Sequence, residues 1–247
     1  MTEFVIKVAG QAVAVKAMFD KSREYCKDYL CQEVPAFSVT ITPQDLMLER
    51  EKSAKTDIAE GHPVREVADA QLEITAILRK ISERFFDYDI LLFHGSVVAV
   101  DGVAYLFTAK SGTGKSTHSR LWREMLGRRA VMVNDDKPFL RIEKEGVLAC
   151  GSPWNGKHHL GADISVPLKA ICLLERGTEN TIARISADEA LLPLMQQINR
   201  PADRKLLPKY LELVDALTSS VAFYRLKCNM DPAAAVVSYE AMRAGDE

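Results

Sequence analysis

The stretch YLFTAKSGTGKSTHSRLW, residues 105–122, matches the phosphate-binding pattern G-x-x-x-x-G-K-[ST] at every fixed position except the first. In the window A-K-S-G-T-G-K-S, Ala109 stands where the pattern has glycine. The apolar run VAYLFTA before the loop predicts a strand, and KSTHSRLW after it opens a helix. This order of strand, loop and helix is the context that a phosphate-binding loop requires.

The residue types in this loop predict how it would hold a nucleotide. Gly112 and Gly114 allow the backbone to curl around an anion, so that amide groups and the helix N-terminus face the phosphates. Lys115 is predicted to reach the β- and γ-phosphates, and Ser116 to place its hydroxyl on Mg²⁺. Ala109 is expected to cost little if its backbone torsions are those of a strand. The predicted nucleotide-binding residues are Ser111, Gly112, Thr113, Gly114, Lys115, Ser116 and Thr117.

Two adjacent carboxylates, Asp135 and Asp136, follow the next apolar strand in the sequence AVMVNDDKPF, residues 130–139. Ligands of open α/β sheets gather at the carboxyl ends of strands. One carboxylate can therefore hold Mg²⁺, and the other can accept the proton of an attacking hydroxyl. An Asp-Asp pair alone is more often a solvated turn or a helix cap, but its position after a phosphate-binding loop favours the functional interpretation.

Composition excludes several classes of partner. The chain has 247 residues, of which 47% are hydrophobic, and its formal net charge is −2. This balance favours neither nucleic acid nor a membrane surface as a partner. The N-terminal MTEFVIKVAG does not resemble a secretory signal, and no apolar run approaches the roughly 18 residues of a membrane span. Five scattered cysteines predict reduced thiols and a cytoplasmic location.

Near residue 88 the sequence changes to short, strongly apolar runs that are typical of strands. This change predicts two parts of the chain, residues 1–88 and residues 89–247. The first part is predicted to be a small α+β region: a hairpin over 3–16, a strand over 37–41, a helix from Thr42-Pro43 and a helix within 66–86. The second is predicted to be α/β. Its strands are expected at 90–93, 96–100, 103–109, 130–134, 139–150 (a hairpin), 169–175 and 221–226, and its helices at 115–126, 187–199, 203–218 and 232–243.

The sequence from residue 90 to about 175 resembles the catalytic core shared by HPr kinase/phosphorylase and ATP-dependent phosphoenolpyruvate carboxykinase. The resemblance lies in the order of three segments, FHGSVVAVDGVAYLFTAKSGTGKST, VNDDKPFL and GVLACGSPWNGK. In both families a histidine on a strand precedes the phosphate loop, and an Asp-Asp pair follows on the next strand. The resemblance implies a P-loop nucleotide-binding core with a mixed β-sheet for 89–247, beside the N-terminal α+β region.

The same resemblance implies roles for individual residues, with ATP and Mg²⁺ as the cofactors. Asp135 matches the base, Asp136 matches the metal-linked aspartate, and His94 matches a histidine near the metal or the transferred phosphoryl group. Lys115 and Ser116 match the phosphate and Mg²⁺ residues. The resemblance also implies a homo-oligomer.

Further candidate groups come from the residues themselves. Lys157, in the polar loop GSPWNGKHHLG, is a candidate for steadying charge in the transition state. His158 and His159 are expected to point apart, as neighbours on a strand do, and so not to share a metal. Arg176 and Arg200 could clamp phosphate, although exposed surface arginine is the favoured interpretation of each.

The predicted function is ATP- and Mg²⁺-dependent transfer of the γ-phosphoryl group to a hydroxyl, either a serine of a protein or peptide or a small hydroxylated metabolite. Three alternatives stay open: a nucleotide-binding regulatory switch, a carboxykinase-like lyase and a scaffold without catalysis. Against the lyase, the chain is short for a carboxykinase and lacks identifiable arginines for oxaloacetate. Residues 1–88 also lack the N-terminal domain of HPr kinase, which argues against HPr itself as the acceptor.

Overall fold

A computed structural model describes residues 1–244 of the chain. Its contacts divide the protein into two compact units, Met1–Arg84 and Phe85–Glu247. Each unit contains its own β-sheet, three-stranded in the first and nine-stranded in the second. No helix within residues 1–244 is long and apolar enough to cross a membrane.

The first unit combines a small sheet with helices. Its elements are β1 (Thr2–Val8), β2 (Gln11–Ala17), α1 (Asp20–Tyr25), β3 (Phe37–Thr40), α2 (Pro43–Ala59) and α3 (Asp69–Phe85), whose last residue belongs to the second unit. Strands β1 and β2 form the predicted antiparallel hairpin, and β3 pairs with β2 in parallel. Helix α2 starts as predicted after Thr42, whose backbone N–H donates to Asp45 at 2.9 Å. Helix α1 was not predicted from the sequence.

The second unit is a mixed sheet with helices. Its elements are β4 (Ile90–Leu92), β5 (Ser96–Val100), β6 (Val103–Thr108), α4 (Lys115–Leu126), β7 (Ala130–Asn134), β8 (Phe139–Glu143), β9 (Gly146–Cys150), β10 (Ser165–Arg176), β11 (Thr181–Ile185), α5 (Ala187–Met195), α6 (Leu207–Ser220), β12 (Ala222–Cys228) and α7 (Ala233–Arg243). The strand order is β4-β8-β9-β10-β6-β5-β7, with β12 paired to β10 and β11 to β12. Because β5 is antiparallel to both β6 and β7, the last two end at the same edge of the sheet.

Alternating side chains give this sheet two apolar faces. One face packs against α5 and α6 through residues such as Leu194 and Leu217. The other packs against α4 and α7, with the fully buried Trp122 at its centre. The Trp122 ring lies 5.0 Å from that of Tyr105 on β6 and 5.3 Å from that of Tyr239 on α7. The helix that follows the phosphate loop is therefore fixed to the strand that precedes it.

Two expectations about this unit were wrong, and one strand was not predicted. The helix predicted over 187–199 ends at Met195, because the segment after it leaves the helix to pair with the end of β4: His94 N–H donates to the Gln197 carbonyl at 2.8 Å. Strand β10 begins at Ser165 rather than at residue 169, because its first residues pair with β9. Strand β11 was not predicted, and its side chains are exposed or half-buried.

Candidate active site

The predicted phosphate-binding loop, residues 109–116 and called the phosphate loop below, connects the end of β6 to the start of α4. Gly112 and Gly114 have φ values of +75° and +125°, which suit glycine and strain other residues. Ala109 is not among the residues of 1–244 that have a positive φ. The missing first glycine is therefore compatible with the loop, because the tight curl falls on the two later glycines.

Lys115 begins α4 and is only 8% exposed. Its Nζ donates to the Ala109 carbonyl at 3.0 Å. Burial lowers the pKa of Lys115, and the charge of Lys137 acts in the same direction, whereas Asp135 and Asp136 raise it. The lysine therefore lies within electrostatic reach of the residues that follow β7.

Two further predicted residues of the loop face solvent: Ser111 before the curl and Ser116 on the first turn of α4. Thr113 and Thr117 are half-buried. Arg176, at the end of β10, donates from Nη2 to the Gly112 carbonyl at 2.6 Å. The guanidinium thus holds the loop itself, a contact that the sequence analysis missed.

Asp135 is a buried carboxylate with a fixed orientation. It is 8% exposed, and the fully buried Ser96 donates from Oγ to its Oδ1 at 2.7 Å. Ser96 also makes a hydrogen bond with Ser119, whose Oγ lies 3.0 Å from the Lys115 carbonyl. The two serines therefore connect the carboxylate to the first turn of α4. No hydrogen bond to Asp135 Oδ2 occurs within residues 1–244, so this oxygen can meet a ligand.

Asp136 lies between two nitrogen-bearing side chains. Its Oδ1 is 3.0 Å from Lys137 Nζ and 3.4 Å from His94 Nε2. Burial lowers the pKa of His94 to about 4, and the positive charges of Lys137 and Lys115 add to this effect against the opposing charge of Asp136. The imidazole is therefore neutral at neutral pH. The structure thus brings together His94, Lys115, Asp135 and Asp136, which the sequence analysis selected, and adds Lys137.

The backbone that carries both carboxylates is held by Asn134. Its Oδ1 accepts hydrogen bonds from the N–H groups of Asp136 at 2.9 Å and Lys137 at 2.7 Å. Its Nδ2 donates to the Ser152 carbonyl at 3.1 Å. An asparagine that binds backbone groups two residues ahead is a common turn device, so the sequence NDDK carried a signal for this role.

The loop over 155–161 closes one side of the site. Gly156 has a φ of +75°, and a Cβ atom there would lie 3.4 Å from Asp136 Cβ. Lys157 is exposed and makes no hydrogen bond or ion pair within residues 1–244. His158 lines a cavity with Asp135 instead. His158 and His159 lie in a turn, within the loop that the sequence predicted, and His159 has a φ of +50°.

Several cavities flank the phosphate loop. One, of about 490 Å³, lies against Gly112 and Gly114 and is also lined by Leu174 and Met230. A second, of about 400 Å³, contains Ser116 and Asp135 in its lining, and a third, of about 370 Å³, lies against Ala109 and Thr113. All three sizes fall within the range of small-molecule sites, roughly 300–1,000 Å³.

The polar groups of the site fit Mg²⁺ better than a transition metal. Within residues 1–244, no three residues among His, Cys, Asp and Glu are placed to hold a metal ion. Mg²⁺ needs no such cage, because it binds through one or two carboxylates and the phosphates of its substrate. The exposed hydroxyl of Ser116 and the partly exposed carboxylate of Asp136 are oxygen donors of the required kind.

Comparison with known proteins gives a limited result. No family model matches the chain, and no curated protein matches it. Among solved structures, the chain is similar to the HPr(Ser) kinase/phosphatase from Coxiella burnetii, with 13% sequence identity and a TM-score of 0.36. The match covers 62% of this chain and 99% of that chain. A function for this protein therefore has to follow from its own residues.

Proposed function

We propose that this protein is an ATP- and Mg²⁺-dependent kinase that transfers the γ-phosphoryl group to a hydroxyl. One observation carries the proposal. Asp135, a buried carboxylate with one oxygen fixed by Ser96, lines the same cavity as Ser116, the second residue of the helix after the phosphate loop. This arrangement supports the proposal, because phosphoryl transfer to an alcohol requires a proton acceptor beside the bound phosphates.

In this proposal the phosphate loop binds the donor. The N–H groups around Gly112 and Gly114 and the N-terminus of α4 face the phosphates, and Lys115 adds a positive charge. Lys115 exchanges its present bond to the Ala109 carbonyl for the phosphate oxygens. The cavity of about 490 Å³ beside the loop accommodates the nucleoside.

The residues after β7 prepare the acceptor and the metal site. Ser96 occupies Oδ1 of Asp135 and leaves Oδ2 to orient the acceptor hydroxyl and take its proton. Ser116 and Asp136 would hold Mg²⁺, which when bound neutralises charge on the transferring group. Lys137 and the neutral imidazole of His94 fix the position of Asp136. A charge-steadying role for Lys157 remains a prediction.

Transfer from γ-labelled ATP tests the proposal, with the wild type beside Asp135→Asn and Lys115→Ala. Asp135→Asn should slow transfer by about 10²–10⁴-fold, because the acceptor proton loses its base. ATP affinity, measured by calorimetry with Mg²⁺, should change little in that variant and be lost in Lys115→Ala. If the wild type binds ATP but labels no peptide or metabolite pool, the kinase proposal fails and the switch becomes the better explanation.

A further inference from the structure

The cavity of about 400 Å³ that contains Asp135 is built on one face of α4. Ser116, Arg120 and Arg123 follow at helical spacings of four and three residues, so they share that face. His158 lies on the loop side of the same cavity. The cavity therefore joins the region of the proposed base to a region rich in arginine.

The charges around this cavity are unbalanced. Arg120 has a partner, since its Nη1 lies 2.8 Å from Glu124 Oε1. Arg123 is half-buried, and its guanidinium makes no hydrogen bond or ion pair within residues 1–244. Among the described residues, Asp135 is the single acidic one in the lining, and Ser96 already binds one of its oxygens. A guanidinium is always charged and offers five N–H donors, so Arg123 is prepared to bind an oxyanion.

We infer that this cavity is the acceptor subsite, and that the acceptor is a small hydroxylated metabolite carrying a carboxylate or phosphate group. The inference rests on the proposed kinase function. The oxyanion binds Arg123, and the hydroxyl faces Asp135. A bidentate guanidinium–oxyanion pair fixes orientation as well as affinity, so it would present one hydroxyl to the carboxylate.

The transfer step balances with these groups. The acceptor oxygen forms a bond to the γ-phosphorus, and the bond from that phosphorus to the β,γ-bridging oxygen breaks. The electron pair of the broken bond leaves with ADP, and the hydroxyl proton passes to Asp135. No oxidant or reductant is needed.

Binding to the full chain tests the subsite without requiring turnover. With Mg²⁺ and a non-hydrolysable ATP analogue present, glycerol 3-phosphate, glycerate and glycerol would each be titrated by calorimetry. Glycerol 3-phosphate or glycerate should bind, and glycerol should not. Arg123→Gln should weaken binding about tenfold or more, because a charge-assisted hydrogen bond is lost. The matched control is Arg128→Gln, an exposed arginine just after the same helix and outside the cavity lining.

Two results would overturn the inference: neither oxyanion binds, or Arg123→Gln binds them as well as the wild type. Transfer assays separate this from failure of the kinase proposal. Phosphorylation of serine peptides or neutral alcohols, unaffected by Arg123→Gln, would leave the kinase standing and remove the anionic acceptor. Oxyanion binding that depends on Arg123, without transfer to any hydroxyl, would keep the subsite and remove the kinase.

Discussion

Ala109 shows which positions of a phosphate-binding loop need glycine for conformational reasons. Its backbone lacks the positive φ that Gly112 and Gly114 adopt. Apart from its two chain neighbours, no atom of the described residues lies within 4 Å of a Cβ built on Gly114, so the need for glycine there is set by the backbone torsion rather than by crowding. A strict sequence pattern requires glycine at all of its glycine positions, whereas the backbone requires it only where φ is positive.

Exchanging glycine and alanine at these positions tests this distinction. Ala109→Gly should change ATP affinity by less than about threefold and lower the free energy of unfolding by at most about 1 kcal/mol, since glycine gains only unfolded-state freedom. Gly114→Ala should cost about 1–3 kcal/mol and weaken ATP binding, because alanine is strained at that φ. Calorimetry and urea unfolding measure both. A large gain in ATP affinity for Ala109→Gly would show that the first glycine has a direct role in binding.

His118 is a buried histidine whose effect on the free energy of unfolding depends on pH. The residue is 2% exposed on α4, and burial lowers its pKa to about 4. Its Nε2 lies 3.0 Å from Ser238 Oγ, which also accepts from Trp122 Nε1 and donates to the Ala234 carbonyl. The imidazole therefore supplies the proton to Ser238. Its Nδ1 has no hydrogen-bond partner within residues 1–244.

The free energy of unfolding should consequently fall in acid. Above the unfolded-state pKa of about 6.5, His118 is neutral in both the folded and the unfolded state, so it causes no loss of the free energy of unfolding. As the pH falls from there towards 4, the unfolded chain takes up a proton that the folded chain does not, and stability is lost. This term amounts to about 3 kcal/mol. Urea unfolding at pH 7 and pH 4 should show a smaller acid loss for His118→Gln than for the wild type, by about that amount. Equal losses would contradict a neutral buried His118.

At the scale of elements, local sequence patterns predicted the helices and strands that are determined by local interactions. The hairpins, the strand before the phosphate loop and helix α4 follow from alternation, turn residues and the Gly127 stop. Helix α2 continues through the polar stretch to Ala59, where apolar periodicity gave no signal. Helix α5 ends before the predicted residue 199 because the segment after it pairs with β4, and the local sequence gives no signal of that pairing.

The same distinction applies to the site. Asp135, Asp136 and Lys115 could be selected because they belong to contiguous motifs, whereas His94 was selected only through the family resemblance. Ser96 acts on Asp135 across 39 residues, and Arg176 acts on Gly112 across 64 residues. Such contacts are set by strand order. A single sequence therefore indicates the candidate chemical groups more readily than the groups that hold them in place.

At the scale of the whole molecule, the contacts divide the chain after Arg84, four residues before the boundary that the sequence suggested. The first unit has its own buried polar centre at Glu73, which is fully buried in α3. Glu73 accepts hydrogen bonds from Phe19 N–H at 3.1 Å and from Ser22 Oγ at 2.6 Å. Both tryptophans, Trp122 and Trp154, lie in the second unit.

This distribution allows the two units to be followed separately during unfolding. Tryptophan fluorescence reports the second unit, whereas far-UV circular dichroism reports both. Glu73→Ala removes the acceptor of the buried Ser22 hydroxyl and of the partly buried N–H groups of Met18 and Phe19, which should cost about 3 kcal/mol. We expect this variant to unfold at lower urea concentration by circular dichroism, with the fluorescence midpoint unchanged. Glu66→Ala, at an exposed position of the same unit, should shift neither signal.

The opposite outcome has an equally definite meaning. If Glu73→Ala lowers both midpoints by the same amount, the 247-residue chain unfolds as one cooperative body despite its two cores. Loss of ATP binding in Glu73→Ala would then follow from global unfolding and not from a role of the first unit in the site. If only the dichroism shifts, ATP binding measured at low urea should persist in the variant. That result would assign nucleotide binding to the second unit, where the phosphate loop and both carboxylates lie.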